Sequence, residues 1–468
     1  MPFKLIFLFI IFPFSLFCQN HFFDREDLVS KQYLSHIQKC QLDSSSTRTI
    51  LYPRFLLNSV TNKTKNINQE YSLLGLGAKL KISNNLIIDF FGDRLFGEMK
   101  EDLSNFQDSL GFYPGFHNKQ NINLIFKYKL NSYVKADFGL GKHFIGDGYR
   151  SLILSDIGAS YPYFKLNTKF GNVKYFNLYT TFLNPNMQDF GRKKHSAIHF
   201  LSYDVSNYVN IGIFESILWQ SKSELANKGF ELAYLNPVIF YRPVEFSKQS
   251  NKANALMGIT SNITISNFNI YTQFLLDDLN ISRQKDSDDN FEGGFFQNKF
   301  GYQIGLKARF PNSVFMIEYN QVQPYTYGHR TILQNYSHLN QALAHPMGAN
   351  FKELIFLYEL NFNNWEFRFT NIFHRVGLDS LNTHYGQNIF QSDFEASSGG
   401  QLSYGNYNGQ GISTDFLISQ FEISRDFNSI NLFFRIDHKR KSSLSVKKSD
   451  MFFVFGLRNY IFDFLELY

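Results

Sequence analysis

The sequence predicts an all-β chain, a transmembrane antiparallel up-and-down β-barrel of about 18 strands with a short helix before it. Three observations predict this. Apolar and polar residues alternate with period two in run after run from residue 50 onward. Tight turns alternate with long polar connections. Finally, no stretch after the first twenty residues approaches the ~20 continuous apolar residues of a spanning helix. Yet aromatics make up 18% of the 468 residues, with 54 Phe and 27 Tyr.

The N-terminus reads as a targeting segment. Lys4 supplies its positive charge and Leu5–Phe17 its apolar stretch, so residues 1–18 are expected to be a signal peptide. Cleavage after Cys18 leaves Gln19 first. Cys18 also invites lipidation, against which the bulk of Phe17 argues. With Cys18 removed or lipidated, Cys40 has no partner for an internal disulfide. Residues 19–49 form a periplasmic segment. Within it Val29, Tyr33, Leu34, Ile37 and Cys40 share one side at helical spacing, with Asp24 as N-cap.

Residues 50–468 are assigned to the barrel. In Phe300–Tyr319, Tyr302, Ile304, Leu306, Ala308 and Phe310 alternate with Gln303, Gly305, Lys307 and Arg309. After Pro311-Asn312, Phe315, Ile317 and Tyr319 alternate with Met316, Glu318 and Asn320. The pattern recurs at Ile122–Leu130 with Val134–Leu140, at Met257–Ile265 with Phe268–Leu276, and at Phe356–Phe362 with Trp365–Phe369. It recurs again at Phe416/Ile418 with Leu432/Phe434/Ile436. Polar segments near 59–69, 98–119, 144–162, 183–194, 220–254, 278–299, 321–351, 376–412 and 440–450 lie between such hairpins. With Ile50–Asn58 first and Met451–Tyr460 last, the turns lie at one end and the loops at the other. An even strand number with both termini at the short-turn end is the topology of a bacterial outer-membrane barrel. Tyr and Phe at strand ends then serve as interface girdles, and outer-membrane lipid is the expected surrounding.

The polar faces place Lys127, Lys135, Lys307, Arg309, Glu318, Arg368 and Arg435 in the lumen, wide enough at this strand number for an aqueous channel. Their basic tilt favours anionic solutes weakly, and a salt-bridged, water-filled interior without selectivity fits the same residues equally well. The net charge of +6 is spread along the chain, without a nucleic-acid footprint. No HExxH, GxSxG, Walker loop or CxxC pair is present, so neither an enzyme nor a metal site or cofactor is expected. Asp286, Asp288 and Asn290 begin like a calcium loop, but Phe291 stands where the turn needs Gly. His329, His345 and His374 are scattered in sequence.

The loops carry recognisable material: HFIGDGYRSLILSD at His143–Asp156, LNPVIFYRPVEF at Leu235–Phe246, YNQVQPYTYGHR at Tyr319–Arg330 and LAHPMGAN at Leu343–Asn350. In order and spacing these resemble the Wzi-like capsule-assembly family of outer-membrane barrels, closest to the RemB-type gliding-motility proteins of the Bacteroidetes. The resemblance implies a non-enzymatic barrel that attaches or assembles surface polysaccharide at the cell outer membrane. It also implies gliding-motility or capsule-export proteins as partners. Tyr149, Tyr241, Tyr325 and Tyr327 offer flat faces to sugar rings. Arg150, Arg242 and Arg330 offer forked bonds to sugar carboxylates, and Asp147 and Glu245 accept from hydroxyls. Equally, Arg150–Asp147 and Arg242–Glu245 serve as tethers between loop and wall, and Gly146 and Gly148 point to a tight loop conformation. The alternative function is a general diffusion channel, a porin with a weakly basic lumen.

Overall fold

The computed structural model describes residues 48–96, 120–185, 192–223, 226–227, 234, 253–279, 298–329, 332–380, 383–392, 405–427 and 430–459. The helix expected at Asp24–Cys40 lies outside the described residues, as does the leader.

Eighteen strands form one sheet. They are β1 (Arg48–Asn62), β2 (Ile67–Lys81), β3 (Leu86–Phe96), β4 (Gln120–Lys129), β5 (Val134–Gly141) and β6 (Tyr161–Phe170). Next come β7 (Val173–Leu183), β8 (Lys193–Asp204), β9 (Val209–Gln220), β10 (Asn254–Ile265), β11 (Phe268–Asp278) and β12 (Lys299–Phe310). Last are β13 (Ser313–Val322), β14 (Phe351–Phe362), β15 (Trp365–Leu378), β16 (Ile412–Phe427), β17 (Ile430–Ser442) and β18 (Lys447–Arg458). Each strand pairs antiparallel with its sequence neighbours. β18 closes onto β1 from Leu56↔Arg458 to Asn62↔Phe452, so the sheet has no open edge. Closure satisfies the backbone polar groups of the wall within the wall, which hydrocarbon demands. The chain is an outer-membrane barrel.

Two of the nine expected long loops are four-residue turns. β1 and β2 run on to Asn62 and Ile67, and β17 and β18 to Ser442 and Lys447. The polar residues there sit on paired strands. Asn62 Oδ1 accepts from the N–H of Thr64 and Lys65 at 3.0 and 3.2 Å, and Asn66 turns the chain with φ 54°.

The outer wall carries the apolar set. Ile304, Phe310 and Ile317 face out, while Gln303, Lys307, Met316 and Glu318 face in, as the hairpin pattern implied. One strand reverses the expectation. On β16, Phe416 and Ile418 point inward and are buried, while Phe421 faces lipid. The reason is that the lumen beside β16 is packed rather than wet, so an inward apolar residue is as well placed there as an outward one.

The outer wall is also not uniform. On β7–β9 the outward residues Asn177, His199 and Glu215 stand side by side in register, and all are buried. Beside them Tyr179, Ala197, Ile217 and Trp219 pack with Tyr234 and Ala253 of the 221–253 connection, Trp219 and Tyr234 lying 4.6 Å apart between ring centroids. Protein, not lipid, covers this strip.

Candidate functional site

The described parts of the long connections after β5, β13 and β15 fold back into the barrel at its long-loop end. Ile145, Leu152, Ile153 and Leu154 from the first, and Tyr327, Tyr336, Leu343, Ala344 and Met347 from the second, are buried in one cluster. Inward wall residues Leu178, Phe182, Phe214, Leu256, Phe351 and Phe416 complete it. The result is an apolar stopper.

Local chemistry explains the first loop. Ser151 Oγ accepts from the N–H of Ile153 and Leu154 and donates to Ile145 O at 2.6 Å, making a compact turn. Gly146 has φ +129°, and a Cβ there would meet Gln273 Nε2 at 1.8 Å. A Cβ on Gly148 would lie 2.4 Å from Glu318 Oε2. The glycines thus let the loop lie against the wall, the tight conformation expected of them. In the second loop Tyr325 and Tyr327 both adopt φ 67°, a conformation costing on the order of 1 kcal/mol each. Partners hold them there. The N–H of Tyr327 donates to Asp277 at 2.7 Å, and its hydroxyl donates to Leu152 O at 2.7 Å. Tyr325 donates from its hydroxyl to His384 O at 2.8 Å and from its N–H to Gly386 O at 2.8 Å. Asn350 joins three segments, its amide facing Gly377 O, Tyr385 O and Gln410 O while Gly409 N–H donates to its Oδ1 at 2.8 Å.

Besides Asp277, two more wall carboxylates anchor the loops. Glu318 accepts from the N–H of Tyr149 and Arg150 at 2.7 and 3.0 Å and from the Tyr271 hydroxyl at 2.7 Å. Glu353 meets Arg150 at 3.3 Å, His345 Nε2 at 2.7 Å and His374 Nδ1 at 3.2 Å, and it accepts from Asn320 at 3.0 Å. Arg150, expected to tether loop to wall, pairs with Glu353. Lys307 donates from Nζ to Asp147 O. Two of the three histidines scattered in sequence, His345 and His374, converge on this one carboxylate.

Toward the short-turn end the inner wall is charged and alternates in sign. Glu359, Arg368, Glu422 and Arg435 occupy matching positions on β14–β17. Arg368 bonds Glu359 at 2.9 Å and Glu366 at 3.1 Å, and Arg435 lies 2.9 Å from Asp437. On β4–β6, Lys127, Asp137 and Lys165 do the same, and Lys127 also pairs with Asp89. Below them Lys129 faces Lys135 directly, and Lys169 faces Lys174. Lys174 lies 3.5 Å from Asp204, whereas Lys129, Lys135 and Lys169 are exposed and make no ion pair among the described residues.

No family model matches the sequence, and no curated protein is similar to it. The fold has counterparts among solved structures. Pseudomonas aeruginosa OprD is 10% identical, with 92% of this chain and 97% of that one covered at a TM-score of 0.47. OccK3 (OpdO) of the same organism is 9% identical over 87% and 94%, TM-score 0.46. Acinetobacter baumannii OccAB2 is 10% identical over 88% and 97%, TM-score 0.46. The similar barrels are of the OprD and Occ type, and no capsule-assembly family matches. The Wzi-like resemblance is therefore corrected, and the capsule-assembly and gliding-motility function drawn from it falls with it. Three of the four loop strings that carried it, at 143–156, 319–330 and 343–350, place residues in the stopper's buried cluster, and the fourth, at 235–246, lies outside the described residues.

The residues expected to meet sugar are placed accordingly. Arg150, Tyr325 and Tyr327 are buried inside the stopper. Tyr149 packs against inward Met316, Ile355 and Ile372, and the guanidinium of Arg150 lies 5.2 Å over its ring. Tyr241, Arg242, Glu245 and Arg330 lie outside the described residues. Of the lumen candidates, Lys127, Lys135, Lys307, Arg309, Glu318, Arg368 and Arg435 all stand on the inner face. Sequence reasoning missed Glu353 and Lys194. The signal for Glu353 was its parity: it alternates with outward Leu354 and Phe356.

Proposed function

We propose that this protein is a non-enzymatic solute channel, stoppered at its long-loop end and selective for small anions. The supporting observation is the inner wall near the short turns. Lys129 and Lys135 face each other there and stay exposed to water, with Lys169 close by, while Asp89, Glu359, Glu366 and Asp204 of the wall are engaged with basic partners. Like charges set directly opposite each other raise the local positive potential and concentrate anions. The hydrophobic stopper supplies the barrier, and the wall below it supplies the selectivity.

The experiment is conductance in planar bilayers under a salt gradient, for the wild type and for a variant whose residues 332–346 are replaced by a short Gly-Ser bridge. The expected result is low conductance for the wild type, a large increase for the variant, and a reversal potential of anionic sign. A bridged variant that folds and inserts without conducting overturns the reading.

A further inference from the structure

We propose that the stopper is an acid-sensitive gate whose catch is the contact between His345 and Glu353. Function as a gate rests on the channel reading above. The catch itself does not.

The geometry fixes the protonation of His345. Its Nδ1 accepts the N–H of Met347 at 3.1 Å, so the ring proton sits on Nε2, which donates to Glu353 at 2.7 Å. The ring is fully buried and stacks on Phe351 at 4.2 Å. A second proton has to enter at Nδ1, where it meets the Met347 N–H, donor against donor. The charged imidazolium and the closed loop therefore disfavour each other. The other charged or titratable groups around this point are Arg150 from the first loop, His374 from β15, and Glu318 and Glu353 from the wall. Arg150 opposes a further positive charge on His345, and Glu353 favours it. Burial is the larger effect and holds His345 down at about 4 while the loop is closed.

The sign follows by linkage. In an open loop His345 meets water and titrates near its ordinary value of about 6.5. Because the closed state binds the proton more weakly, closure is fully favoured above that value. It weakens as pH falls from about 6.5 toward 4, with the closed-to-open ratio dropping up to about ten-fold per pH unit. Arg150 stays anchored by the Glu318 contacts to its own loop, so the segment that swings is the one carrying His345, Leu343 and Met347.

The test is thiol labelling of Ala344→Cys, a buried stopper position, in a Cys40→Ser background. Labelling by a methanethiosulfonate reagent is normalised at each pH to the exposed control Tyr407→Cys, which cancels the pH dependence of thiol chemistry. The normalised rate is expected to rise up to about ten-fold per unit below pH 6.5. Adding His345→Gln, which keeps a donor toward Glu353 but cannot titrate, is expected to flatten the profile. A flat profile without that substitution, or a rise that persists with it, overturns the catch. Conductance of the same preparations is read separately. Labelling that rises without conductance upholds the catch and removes the channel reading.

Discussion

Lys194 and Asn335 meet in the interior of the barrel, far from water. The ammonium donates to Asn335 O at 2.6 Å, to Asn335 Oδ1 at 2.7 Å and to Ser337 Oγ at 2.9 Å, so all three of its protons are used. The wall strand β8 is thereby fastened to the loop that fills the lumen. Lys194→Met leaves three acceptors facing an apolar chain. A loss of roughly 2–4 kcal/mol in stopper stability is expected. It is read as leak conductance appearing in a barrel that still runs as folded in unheated gel electrophoresis.

The hydroxyl of Tyr327 ties the second loop to the first through Leu152 O. Tyr327→Phe removes one hydrogen bond and leaves a buried carbonyl unsatisfied, at a cost of about 1–3 kcal/mol. Faster amide exchange in residues 142–160, with exchange in the wall strands unchanged, is the expected outcome. Equal acceleration everywhere would mean that the bond supports the barrel and not the stopper.

Gly148 passes too close to Glu318 for any side chain. Gly148→Ala pushes the loop off the carboxylate that holds the N–H groups of Tyr149 and Arg150. External protease is expected to cut residues 142–160 in the variant and to spare them in the wild type.

Lys129→Glu with Lys135→Glu reverses the charge of an exposed pair without touching an ion pair among the described residues. In the bridged barrel the reversal potential is expected to change sign from anionic to cationic. The change is expected to shrink above about 1 M salt, where the screening length falls to about 3 Å. An unchanged sign places selectivity elsewhere on the wall.

Arg54 and Asp93 form a two-pronged pair at 2.7 and 3.0 Å on the inner wall, with Arg54 4.2 Å over the ring of Phe91. Arg54→Leu alone leaves a buried carboxylate unpaired, at a cost of about 3–5 kcal/mol, and the double change with Asp93→Leu is expected to recover most of it. Urea unfolding in lipid vesicles measures both.

The barrel was legible because lipid imposes one rule on every strand: each second residue must tolerate hydrocarbon. Ile304, Phe310, Phe362 and Ile265 obey it, and all are exposed on the outside. The stopper was not legible, because its contacts are remote in sequence. Arg150 meets carboxylates 168 and 203 positions away, whereas Asp147 was the acid at hand in the sequence. Phe416 and Ile418 misled for a related reason. Once loops fill the lumen, two faces of a strand are apolar environments, and alternation no longer says which is which. The tyrosines of the loops looked free for ligand because burial by distant segments leaves no mark on local composition.

The covered strip on β7–β9 has a consequence of its own. A carboxylate such as Glu215 facing bare hydrocarbon would be costly, and here it is buried, on the same strands whose outward Ile217 and Trp219 pack with Tyr234. Lipid therefore wets an open arc of the wall and not a full ring. Seen in the plane of the membrane, this barrel has a back, and neighbouring molecules meet a different surface there than on any other side.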